Sequence, residues 1–166
     1  MTYTWHDIGG RIIELCDECG FDARELTGNQ DEQQRLAAAY ADLERLLDHP
    51  DADRRPAAET WSAREYVDHC LEAAAVILGW VADLTDGDAL EELSDLTACR
   101  QAVEVLVPPL TEAQRAAVLN GQYQQSVTVE WLLRHLLHDT EHHVLDLRRG
   151  YASIAMADHP EIPFRG

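Results

Sequence analysis

The stretch RHLLHDTEHHVLDLRR, Arg134 to Arg149, carries His135, His138, His142 and His143 within one segment of helical periodicity. Leu132, Leu133, Leu136, Leu137, Val144 and Leu147 recur around it at helical spacings, which predicts an amphipathic helix with the histidines at the border of its apolar face. At about 100° per residue, His138 and His142 lie one turn and roughly 40° apart, so both reach a common ion. His135 lies close to the same stripe, whereas His143 sits about 100° from His142 and points to a different neighbour. Asp139 with His143 is an alternative pair, also one turn apart, on a different seam. Two ligands do not make a catalytic site: a catalytic zinc takes three protein ligands and keeps an open position. The third donor has to come from another helix, and His69 in WSAREYVDHC is the obvious one.

Working outward, the His-bearing helix is predicted from about residue 128 to 149, with Glu130 in its first turn and Gly150 closing it. Three more helices are predicted at about 31–48, 62–84 and 92–106. His49-Pro50 ends the first, Ser62 with Glu65 reads as a capping box for the second, and Pro108-Pro109 stops the third. A short helical piece follows at about 111–119. No segment shows convincing strand alternation, and the first thirty residues read as irregular. Four amphipathic helices imply an all-α, antiparallel four-helix bundle, and 166 residues fit a single domain over 1–166.

The formal net charge is -18, from 31 acidic against 13 basic residues, all of the latter arginine. Such a surface repels nucleic acids and anionic membranes, and no basic patch larger than Arg54-Arg55 or Arg148-Arg149 offsets it. No apolar run is long enough for a membrane span and the N-terminus lacks a secretory pattern, so a cytoplasmic location is expected. Cys16, Cys19, Cys70 and Cys99 are then expected as reduced thiols. CDEC has the spacing of half a zinc knuckle, but no second CxxC or HxxxC completes it, so the segment reads as a small-residue turn packed on the bundle. Cys70 points away from His69, and Cys99 reads as core. Glu65, Asp139 and Glu141 are candidates to hold the second nitrogen of a ligand histidine, and Trp131 is placed to wall the pocket.

Taken in order, CDECGFD, WSAREYVDH and HDTEHH resemble the DinB-like superfamily of metal-dependent proteins, which includes metal-binding domains of mycothiol-dependent maleylpyruvate isomerase and the bacillithiol transferases. The resemblance runs from Cys16 to about Arg149. It implies an up-down-down-up four-helix bundle, often dimeric, in which His69, His138 and His142 hold a divalent metal, zinc or nickel. It also implies a small-molecule thiol as partner, mycothiol first, in S-transfer. Hydrolysis uses the same inventory with water as the nucleophile. The alternative is a non-catalytic metal-binding or stress-associated homodimeric module.

Overall fold

The computed structural model describes residues 5–9, 11–87, 92–123 and 125–159. Four of its helices start where side chains satisfy the free amides of the first turn. The predicted capping box is present at α2 (Ala63–Leu84): Glu65 N donates to Ser62 Oγ at 3.3 Å and Ser62 N to Glu65 Oε2 at 2.8 Å. Asp95 caps α3 (Leu96–Leu106) by accepting from Ala98 N at 2.8 Å, so this helix begins later than the expected 92. Thr111 and Gln114 form a second capping box on the single turn α4 (Glu112–Arg115). Thr128 caps α5 (Val129–Asp158) through Trp131 N at 3.2 Å. The first long helix, α1, spans Asn29–Leu47.

These five helices pack together, and the faces predicted from periodicity for the first and last long helices lie in the core. Leu36, Tyr40 and Leu43 of α1, Ala74, Leu78 and Val81 of α2, Cys99 and Val103 of α3, and Leu132, Leu133, Leu136 and Leu137 of α5 are all buried. Helix α5 lies along both α1 and α2, and α3 packs on the same two helices. Arg115 and Arg134 both bond the buried carboxylate of Glu32, at 2.7 to 2.9 Å, tying α4 and α5 to α1. Among the described residues no helix is long and apolar enough to cross a membrane.

Two expectations are corrected. The N-terminal segment is not irregular: β1 (Trp5–Ile8) and β2 (Arg11–Glu14) form an antiparallel hairpin with Trp5 opposite Glu14 and Ile8 opposite Arg11. Gly9 has φ 67° at its turn, a conformation that glycine adopts without strain. The hairpin docks on α5, where Trp5 meets Trp131 edge-on at 5.2 Å. A second, shorter pair, β3 (Val118–Leu119) with β4 (Val127–Thr128), leads directly into α5.

The second correction concerns the end of α5, which passes through Gly150 to Asp158. Glycine inside a helix costs about 1 kcal/mol, and here the following turn has partners that outweigh it. Tyr151 donates to the Leu46 carbonyl at 2.7 Å and stacks on His49 at 4.1 Å, Ile154 is buried, and Asp158 pairs with Arg54. The tail beyond it, for which Pro160 and Pro163 in the sequence predict irregular structure, lies outside the described residues.

Candidate metal centres

Because α5 turns about 100° per residue, consecutive residues on it face different seams. His138 and His142 face the N-terminal loop, and Asp139 and His143 face α2. The histidine-rich stretch therefore contributes to two separate donor clusters, each with its ligand atoms within 4.8 Å of one another: Cys16, Cys19, His138 and His142, and His69, Asp139 and His143.

The first cluster is assembled by a tight loop after β2. Gly20 takes φ 78°, Gly20 N donates to the Cys16 carbonyl at 2.9 Å, and Cys16 N donates to the Phe21 carbonyl at 2.8 Å. The loop folds CDEC back so that Cys16 Sγ lies 3.5 Å from His142 Nδ1. Phe21 stacks on His138 at 4.8 Å, and the Arg35 guanidinium lies over the Phe21 ring at 5.6 Å from its centroid. Behind the histidines, Glu14 accepts from His135 Nδ1 at 2.6 Å and from His138 Nδ1 at 3.0 Å. A carboxylate only accepts, so both rings carry a proton on Nδ1. The other ring nitrogen of His138, Nε2, is buried without a hydrogen-bond partner.

Burial opposes charge on Glu14, but the bonds from His135 and His138 outweigh it and hold its pKa below the usual carboxylate value. Burial also opposes ionisation of Cys16. The amide of Cys19, the His138 ring and the amide of Glu18 overcome that and bring the thiol down to about 6. For His138 the desolvation cost is outweighed by contact with Cys19, Glu14 and Cys16, which raises it to about 10.

The second cluster joins α2 to α5. His69 Nε2 and His143 Nε2 approach the two oxygens of Asp139 at 3.5 and 3.6 Å. Asp146, one turn on, accepts from His143 Nδ1 at 3.0 Å, which turns Nε2 toward Asp139. Asp139 Oδ1 and His143 Nε2 are both buried without a hydrogen-bond partner. Burial would raise the Asp139 pKa, but the His69 bond and the His143 charge hold it down; reciprocally, Asp139 raises that of His69. His69 keeps 35% of its side-chain exposure, against 5% for Asp139 and 2% for His143, so the cluster is accessible from the His69 side. Trp61 lies 5.5 Å from the His69 ring, and Tyr66 lies 5.0 Å from that of His143.

The sequence-predicted trio is thus divided. His138 and His142 come together as expected, with the two cysteines as their companions; His69 joins Asp139 and His143, the alternative seam. The proposed holders of second nitrogens are also redistributed. Glu65 is committed to Arg55 and the Ser62 cap, and Glu141 to Arg35, while Asp139 is itself a donor atom in a cluster. Glu14 and Asp146 take the anchoring role. Asp146 was detectable as the acid three residues after His143. Nothing local marks Glu14, whose place depends on the hairpin. Trp131 stacks on His135 at 4.6 Å rather than on either cluster's histidines. Cys70 and Cys99 are buried in the core.

A cleft of about 970 Å³ is lined by Ile13, Glu14, Arg115, Trp131 and Arg134 among others; it contains none of His69, Asp139 or His143. Their cluster reaches the surface at His69, beside Trp61, which is 43% exposed. No protein-family model matches the chain, and no curated protein matches it.

Proposed function

We propose that this protein is a DinB-like metal-dependent enzyme whose His69, Asp139 and His143 hold a divalent ion that activates a small thiol or water. One observation carries the reading: two buried donor atoms, Asp139 Oδ1 and His143 Nε2, stand 3.6 Å apart with no hydrogen-bond partner and converge with a partly exposed His69. Leaving buried polar atoms unpaired costs about 1–3 kcal/mol each, so an arrangement that does so on one spot fits a cation placed among them. Two imidazoles and a carboxylate are a donor set suited to zinc, nickel and other divalent transition ions. When bound with three protein ligands, such an ion lowers the pKa of a water or thiol in its open position, supplying a nucleophile near neutral pH.

The chain's own residues prepare that position. Asp139 is kept ionised by the neighbouring imidazoles, Asp146 orients His143, and the half-exposed His69 leaves the approach on the solvent side. Trp61 and Tyr66, 5.3 Å apart, border this approach with apolar surface. The acidic surface disfavours polyanionic substrates and is compatible with a neutral or weakly charged small thiol of the mycothiol type. The order of the motifs CDECGFD, WSAREYVDH and HDTEHH supports the same class.

The test uses chelator-treated protein reloaded with one metal at a time. Conjugation of 2-mercaptoethanol to monobromobimane probes thiol activation, and hydrolysis of p-nitrophenyl acetate probes water activation. One of these should be accelerated by the metal-loaded protein, and His143→Ala or Asp139→Ala should abolish the acceleration. No acceleration of either reaction by any loaded form makes the protein a non-catalytic metal-binding module and overturns the reading.

A further inference from the structure

We propose that Cys16, Cys19, His138 and His142 form a second metal site, a closed zinc site that fastens the N-terminal hairpin and its loop to α5. The ligand types and spacings are C-x2-C and H-x3-H, the pattern of tetrahedral structural zinc. The two halves are about 120 residues apart, and the fold brings their four donor atoms within 4.8 Å of one another. A tetrahedral ion with Zn–S of about 2.3 Å and Zn–N of about 2.05 Å has a sulfur-to-nitrogen edge of about 3.6 Å. The observed Cys16 Sγ to His142 Nδ1 separation is 3.5 Å.

A second, independent observation points to a ligand. His138 is 2% exposed, its Nδ1 is occupied by Glu14, and its Nε2, on the cysteine side, has no hydrogen-bond partner. A carboxylate behind a ligand imidazole fixes its tautomer and ring orientation, which is the arrangement seen here before any ion is considered. The loop is built in the same sense. Gly20 makes the reversal at φ 78°, and the bonds from Gly20 N to the Cys16 carbonyl at 2.9 Å and from Cys16 N to the Phe21 carbonyl at 2.8 Å close the loop that carries both sulfurs.

Charge selects the ion. Two thiolates and two neutral imidazoles offset a divalent cation, so the ion and its four ligands together are neutral. Four protein ligands leave no position for substrate, which makes the site structural. A tetrahedral S2N2 set favours zinc over the harder divalent ions. The consequence for the fold is a crosslink between a loop after a four-residue strand and the longest helix, one residue away from the Asp139 that serves the open cluster. The inference does not depend on the reading of that cluster, because Asp139→Asn leaves all four ligands in place.

The experiment is cobalt substitution in the full chain, stripped by chelator under reducing conditions. One equivalent of cobalt should produce thiolate-to-cobalt charge transfer in the near ultraviolet together with tetrahedral ligand-field bands, and zinc should displace both. Cys19→Ser should lose at least half of the charge-transfer intensity, and His138→Gln should change the ligand-field bands, whereas Asp139→Asn should leave both signals intact. Absence of a thiolate band in the wild type, or its full retention in Cys19→Ser, overturns the proposal. Wild-type thiol reactivity gives a readout that needs no variant. Zinc should slow reaction of the half-buried Cys19 with Ellman's reagent by at least about tenfold, and chelator should restore it. Reactivity unaffected by zinc also overturns the proposal.

Discussion

His138 and Asp139 are adjacent in the chain, yet they belong to centres of opposite character. On the His138 side, four donors close around one point, three of them buried, with Phe21 stacked on one ligand and Glu14 behind it. On the Asp139 side, three donors converge and one of them, His69, keeps about a third of its side chain in solvent. A closed set of four suits a crosslink, and an open set of three suits chemistry. The comparison teaches that a run of histidines on a helix is not one motif. It is two interleaved stripes, each defined by the element it faces.

The largest expected effect separates the stripes by stability. Loss of the closed site, in Cys16→Ala or by chelation, should cost about 3 kcal/mol or more, which lowers Tm by roughly 6–12 °C for a chain of this size. Thermal unfolding followed by circular dichroism measures it, with Asp139→Asn expected to shift Tm by no more than about 3 °C. Equal destabilisation by the two variants would remove the distinction between structural and open sites.

Activity and stoichiometry separate them in the other direction. His143→Ala should reduce bound metal from two equivalents to one and lower the metal-dependent rate by at least about 10²-fold, while the thiolate-to-cobalt band persists. Metal analysis beside the bimane and ester assays reads both. A variant that keeps two equivalents would show that His143 is a packing residue.

Glu14→Gln probes the anchor of the closed site alone. Replacing the carboxylate behind His138 should weaken zinc at that site by about 10–100-fold and leave the open site's affinity unchanged. Competition with a chromogenic chelator resolves the two affinities. The smallest effect is expected for Asp146→Asn, because Asp146 bonds His143 at 3.0 Å but stands 3.9 Å from His142. Affinity should fall by about tenfold at the open site and by less at the closed one. A larger loss at the closed site would mean that Asp146 serves chiefly His142.

Much of this architecture follows from local signals. Ser62 with Glu65, the break at His49-Pro50 and the leucine stripe of the last helix act within one or two turns, so they could be read directly and reappear in the structure. The hairpin was missed because its strands are four residues long, and neither WHDI nor RIIE alternates apolar with polar residues. The Gly-Gly pair at positions 9 and 10 of the sequence was the available signal. Helix α5 outran Gly150 because the residues that reward its extension, Leu46, His49 and Arg54, come from a distant part of the chain.

The sequence by itself determined that His138 shares a stripe with His142 and Asp139 with His143, since helical geometry sets those angles wherever the helix forms. It also showed that CDEC has the spacing of half a zinc knuckle, which on its own read as a packed turn, and that His69 stands in a helix interior. Only the tertiary structure decided which half met which. Burial of the leucines of α5 against α1 and α2 sets the helix's rotation, and that rotation turns one stripe toward the Cys16 loop and the other toward His69. Sequence spacing specifies angles around one axis. The partner across each seam is chosen by how the whole core packs.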